Sequence, residues 1–165
     1  MKTLCLTVMA FVLLLLYTNG IQAQTTQTKL NQVELMKQLI GTWQANVGKD
    51  TIEVWDCQQY GKAFIINVHQ VIKGQKTPLY INNLGFDSKE DKFKGYALWS
   101  GGAYSTWIGL YKTEKKFLVD MVQDFNPETT DTKFESVMEN PKEWTWTQFN
   151  TDGVKTSELK FIKVK

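Results

Sequence analysis

The stretch Lys37–Trp43, KQLIGTW, decides how the rest of the chain is read. It closes a segment in which Leu30, Val33, Met36, Leu39 and Ile40 recur at helical spacing, the mark of one short amphipathic helix. It then sets a glycine, Gly41, and two residues later Trp43, where an extended run begins. A glycine there lets the chain turn sharply out of the helix. An inward-pointing tryptophan so early in a first strand would plug one end of a closed sheet, with the helix across the same end.

After this stretch the helical spacing stops. Turn signals arrive every ten or so residues: GKD at 48, YGK at 60, KGQK at 73, DSKEDK at 87, GG at 101, TEKK at 113, NPETTD at 126, ENPK at 139 and TDG at 151. The runs between them are rich in Val, Ile, Thr and aromatic residues, which predicts an all-β domain of short strands. Ten strands are expected, near 41–48, 51–59, 63–73, 77–87, 92–100, 103–112, 116–125, 132–139, 143–150 and 154–164. Short connections make sequence neighbours antiparallel neighbours. Pairing the first strand with the last removes both edges and closes an up-and-down barrel. Ten strands about 4.8 Å apart, tilted about 45°, give a backbone radius of roughly 11 Å, enough for a lumen.

The residues ahead of the helix have a different character. Met1-Lys2-Thr3 carries one charge, Leu4 to Tyr17 is almost wholly apolar, and TNGIQA ends on small residues at Ala23. This is the layout of a secretory signal peptide cleaved after Ala23, and the apolar run is short for a membrane span. The expected organisation is therefore a signal peptide over 1–23, a polar leader over 24–29 and one barrel domain over 30–165, secreted or periplasmic. Cleavage leaves 142 of the 165 residues and lowers the formal charge from +2 to +1. A near-neutral surface argues against nucleic acid as a partner. All 19 basic residues are lysine, and lysine lacks the planar fork that grips phosphate by two bonds. Cys57 is then the only cysteine, so no internal disulfide is available, and it reads as a buried small hydrophobe.

GTW behind a short helix and ahead of a ten-strand meander resembles the Gly-x-Trp signature that opens lipocalins and related calycin barrels. Lipocalins have eight strands, and fatty-acid-binding proteins place two lid helices between their first two strands, where VGKDT leaves no room. The pattern is most similar to lid-less ten-stranded bacterial barrels of the nitrobindin type. The resemblance implies a basic side chain stacked on the signature tryptophan, and Lys163 in FIKVK is the candidate beside Gly41 and Trp43. Nitrobindin-type barrels hold haem through a late histidine. The single histidine here is His69, on the third strand, so no haem or other cofactor is expected.

The interior is the informative part. ALWSGGAYSTW reads as a hairpin with Gly101-Gly102 as a two-residue loop, pairing Trp99 with Tyr104, Ala97 with Thr106 and Gly95 with Ile108. One face then carries Phe93, Gly95, Ala97, Trp99, Tyr104, Thr106, Ile108 and Leu110, with small residues among large ones. Phe117, Val119, Met121, Gln123 and Phe125 continue it, and Phe134, Ser136 and Met138 follow. Aromatic walls with few polar groups and flexible methionine suit a small-ligand pocket. The expected pocket residues are Trp99, Tyr104, Thr106, Met121, Gln123 and Phe134, with Thr106 and Gln123 as polar anchors. Trp144 and Trp146 share one face, read as inward.

Three functions compete on these residues. The first is a non-enzymatic barrel holding a small hydrophobic or amphipathic molecule. The second is a filled barrel that meets a protein or glycan through outer aromatics such as Tyr96, Trp107 or Trp144. The third, an enzyme at the barrel mouth, is disfavoured because one histidine builds neither a multi-histidine metal site nor a supported Ser/His/Asp arrangement. The signal-peptide reading predicts an exported chain that starts at Gln24. Intact mass of exported protein checks it, and a retained Met1 overturns both the cleavage and the compartment.

Overall fold

The computed structural model describes residues 29–165, so the expected signal peptide lies outside the described residues. A helix α1 (Gln32–Met36) runs into a 3-10 turn at Lys37–Leu39. Asn31 caps α1, its side chain accepting from the Glu34 N–H. Ten strands follow: β1 (Gly41–Gly48), β2 (Thr51–Tyr60), β3 (Ala63–Ile72), β4 (Gln75–Asp87), β5 (Lys92–Trp99), β6 (Tyr104–Tyr111), β7 (Lys116–Val122), β8 (Thr132–Asn140), β9 (Glu143–Phe149) and β10 (Lys155–Lys163). Each pairs antiparallel with its neighbours in sequence, and β1 pairs with β10 to close the barrel.

The closing seam explains the opening stretch. Gly41 has φ +122°, and a Cβ on it would lie 2.4 Å from the Lys165 carbonyl oxygen and 2.8 Å from Lys163 Cε. Only glycine allows both the backbone angle and this approach. The Thr42 N–H then donates to the Lys165 carbonyl and the Val164 N–H to the Thr42 carbonyl. Trp43 is 1% exposed, and its indole N–H donates to the Leu39 carbonyl at 2.8 Å, tying β1 to the turn below it. Lys163, paired with Trp43 across the seam, holds its ammonium 5.1 Å from the ring centroid.

The helix is pinned to the same end. The Gln32 side chain takes the Tyr111 N–H at 2.7 Å and donates to the Tyr111 carbonyl at 3.1 Å, completing the backbone bonding at the end of β6. Met36 and Leu39 enter the core beneath it. Around them Trp43, Trp144, Trp55 and Phe161 form one aromatic group, with Trp144 stacked on Phe161 at 4.4 Å and edge-on to Trp43 at 6.1 Å. Phe64, Phe93, Phe117 and Tyr111 form a second. The lower half of the barrel is filled.

Two local readings of the sequence are corrected. Three residues, not two, lie between the hydrogen-bonded pair that closes the β5–β6 hairpin: the Trp99 N–H donates to the Ala103 carbonyl, and the Gly102 N–H returns to the Trp99 carbonyl with Gly102 at φ +89°. This is a turn closed by a left-handed glycine, the common three-residue hairpin. The pairs become Leu98–Tyr104, Ala97–Ser105 and Gly95–Trp107. A shift of one residue reverses every side chain on β6. Ser105, Trp107, Gly109 and Tyr111 face in, where Tyr104, Thr106, Ile108 and Leu110 were expected.

The second correction is at the end of β7. Asp124 and Phe125 both have positive φ, 48° and 62°, and the Asn126 N–H donates to the Gln123 carbonyl. Two successive left-handed residues make a tight turn of the primed kind. The strand therefore ends at Val122, and Gln123 and Phe125 do not continue the inward row.

The seam predicts the cost of breaking it. Trp43→Ala should destabilise the protein by about 3–5 kcal/mol, the range for truncating a buried aromatic. Urea denaturation measures it, and a loss below about 0.5 kcal/mol, the surface range, would remove Trp43 from this role.

Candidate functional site

Above the filled half the barrel is hollow. The inward rows leave a cavity of about 300 Å³. Its wall comes from β2 (Trp55), β3 (Ile66), β4 (Tyr80, Asn82, Leu84), β5 (Ala97, Trp99), β6 (Ser105, Trp107), β7 (Val119, Met121), β8 (Phe134) and β9 (Trp144, Trp146, Gln148), with Met36, Leu39 and Phe117 towards its floor. One charged residue lines it, Glu53 of β2.

The residue order on each strand builds this shape. Gly95 is flat because Trp107 lies across it: a Cβ there would sit 2.3 Å from the indole. The room that Gly95 suggested in the sequence is therefore filled by its cross-strand partner. The Trp107 indole N–H donates to Asn82 Oδ1 at 2.8 Å, fixing the ring against β4. The hollow lies instead above Trp107, among Ala97, Ser105, Met121 and Phe134. Phe134 stacks on Trp146 at 4.9 Å and supports that wall.

Polar groups cluster towards the mouth. Glu53 Oε1 accepts the Trp55 indole N–H at 2.7 Å. The Trp99 indole N–H reaches Ser105 Oγ at 3.3 Å, and the Trp99 ring packs on Tyr80 at 4.5 Å. Burial, with the charge of Glu53 adding to it, raises the Tyr80 phenol well above its ordinary range, so it stays protonated. Deeper in the wall, the Trp144 indole N–H is buried without a hydrogen-bond partner among the described residues.

The expected pocket residues divide in two. Trp99, Met121 and Phe134 line the cavity. Tyr104, Thr106 and Gln123 do not: they border a separate depression on the outer surface with Asp124 and Asp131. Tyr104 is 66% exposed, and the Thr106 hydroxyl donates to the Val122 carbonyl at 2.6 Å rather than into the lumen. The polar positions facing the lumen are Glu53, Tyr80, Asn82, Ser105 and Gln148 instead. Trp107 and Trp144, considered as outer aromatics, face inward, and Trp146 does too.

His69 lies on the outer parity of β3, with Nδ1 3.8 Å from Asp56 Oδ2. Burial and then nearby Lys76 lower its pKa, against the opposing pull of Asp56. No group of three or more His, Cys, Asp or Glu side chains is placed to hold a metal among the described residues. None of their helices is long and apolar enough to cross a membrane.

No protein-family model and no curated protein matches the chain. Among solved structures it is similar to a redesigned β-barrel at 15% identity, over 81% of this chain and 95% of that one, with a TM-score of 0.32. The architecture is a closed ten-strand antiparallel barrel, read directly from its own strand pairing.

Cys57 faces the filled half, and burial raises its thiol from 9.0 to about 12, opposed in part by Lys163. A thiol raised on folding stabilises the protein below its unfolded pKa, and that contribution is lost as pH climbs from about 9 towards 12. A thiol-specific reagent at pH 8 should therefore leave the native protein unlabelled and label it fully in urea. Rapid labelling of the native state would show Cys57 to be accessible.

Proposed function

We propose that this chain is an exported, non-catalytic, lipocalin-like barrel that holds a small apolar or amphipathic molecule in its upper lumen. The observation that carries this reading is the cavity itself. Its volume of about 300 Å³ is the lower end for ligand sites, which run from roughly 300 to 1,000 Å³. Its wall is aromatic and aliphatic with a few convergent polar groups, the composition of a binding pocket rather than of a packing defect.

Kinship with the lipocalin-like barrels is part of the proposal. It rests on Gly41-Thr42-Trp43, the short helix below them and Lys163 over the Trp43 ring. Departure from an enzyme rests on the lumen's inventory, one carboxylate among aromatic rings with the histidine on the outside. Export rests on the N-terminal sequence alone.

A second reading, contact with a protein or glycan, keeps one observation in its favour. Ile81, Leu98 and Tyr104 are exposed and lie side by side across β4, β5 and β6 on the outer face.

Five of the six tryptophans line the cavity, so intrinsic emission reports its occupancy. A small hydrophobic probe should shift that emission saturably. Ala97→Leu adds volume to the hollow between Asn82 and Ser105 and should weaken the probe at least tenfold with the far-UV spectrum unchanged. Leu98→Glu, on the outer face, should leave binding as it was. If Leu98→Glu abolishes it and Ala97→Leu does not, the binding surface is the outer row.

A further inference from the structure

Glu53 sits in an unusual position. It is half-buried, it faces a lumen whose other lining residues are uncharged, and it forms no salt bridge among the described residues. One of its oxygens is taken by the Trp55 indole N–H, whose ring is held in place by neighbours on β4 and β9. Trp55 meets Tyr80 at 6.4 Å and Trp146 at 5.6 Å, and Tyr80 meets Trp99 at 4.5 Å. A carboxylate is thus set beside aromatic rings at the mouth of a hole whose other lining residues are uncharged.

Those are the parts of an ammonium site. Aromatic faces attract cations through the ring quadrupole, most strongly where water is excluded. A carboxylate beside them supplies the counter-charge. A neutral guest that covered Glu53 would strip water from an ion and give nothing back. A carboxylate guest would add repulsion to that cost. Tyr80 remains a neutral phenol, so Glu53 is the single negative charge in the lumen.

We infer that the guest of this lumen is an organic cation, an amine or quaternary ammonium carried on a short apolar body, with Glu53 as its counter-ion and Trp55, Tyr80 and Trp99 as its aromatic walls. The inference rests on the ligand-binding reading above. It reverses the polarity of the carboxylate or hydroxyl guest that the sequence suggested for Thr106 and Gln123, neither of which faces the cavity.

Three probes of eight-carbon chains separate the possibilities: octyltrimethylammonium, octan-1-ol and octanoate, each titrated below its micellar concentration or, for the alcohol, its solubility limit, and followed by tryptophan emission and calorimetry. The cation should bind at least tenfold more tightly than the alcohol, and octanoate most weakly. Glu53→Gln should remove the advantage of the cation over the alcohol, weakening the cation while the alcohol binds as well or better, because the ion whose water it would strip is gone. Ala97→Leu should weaken cation and alcohol together, which places both in the lumen. Equal binding of cation and alcohol, a preference for octanoate, or a cation advantage that survives Glu53→Gln overturns the inference while the cavity keeps its role. Binding of the cation that Ala97→Leu leaves untouched puts the cation outside the lumen and overturns it too. Failure of all three probes on the unaltered protein overturns the pocket reading with it. Should Glu53→Gln not fold, the ranking of the three probes on the unaltered protein decides alone.

Discussion

The approach of the chain's last residues to Gly41 is the constraint on which the barrel depends. The β1–β10 seam has two register pairs, Trp43–Lys163 and Gln44–Ile162, whereas β2–β3 has ten. So short a ladder needs help from side chains. Trp43 supplies it in three directions: its N–H holds the turn at Leu39, its ring meets Trp144 of β9 nearly at right angles, and its face receives Lys163 of β10. Helix cap, first strand and last two strands therefore share one side chain. Lysine rather than arginine at 163 brings a point charge to the ring without planar stacking, which leaves indole packing as the larger part of the closure.

From this closed end upward the barrel changes from solid to hollow, and glycine placement governs where. Gly95 and Gly109 let Trp107 and Phe117 cross the floor of the lumen at full ring size, since a Cβ at either glycine would collide with those rings. The filled half thus uses large side chains laid over backbone, not small residues left open. Beside Trp107 the inward positions of the neighbouring strands are Ala97, Ser105 and Met121, which line the hollow. The cavity is what remains of a lumen about 11 Å in backbone radius once these rings are placed.

Much of this was legible in the sequence because it depends on periodicity. Ten strands, their order, the helix below them and the inward faces of β5 and β8 follow from alternation between turns, whereas on β9 alternation puts Trp144 and Trp146 on one face without deciding which way it points. Three one-residue decisions were not legible. Gly101-Gly102 suits a two-residue loop as well as a three-residue one, and backbone angles decide between them. Asp124-Phe125 turns in the left-handed region without a glycine to announce it. At β1–β2 the register shifts between Asn46 and Gly48, which brings Trp43 opposite Trp55 instead of Asp56. That bulge also sets Glu53 opposite Ala45. Its effect is to aim a carboxylate inward, which alternation alone could not assign.

The two ends of the barrel then solve opposite electrostatic problems with the same side chain. An indole has a negative face and a positive, hydrogen-donating edge. At the closed end the face of Trp43 takes a cation, Lys163, from the protein itself. At the mouth the edge of Trp55 takes an anion, Glu53, also from the protein. The closed end is thereby complete, with its ring face covered. The mouth is not: the Trp55 N–H satisfies one carboxylate oxygen but does not neutralise the charge. The asymmetry follows from which part of the indole each charge meets. A charge placed on the edge leaves its own second oxygen, and the part of the Trp55 ring that lines the cavity, for something that enters from outside.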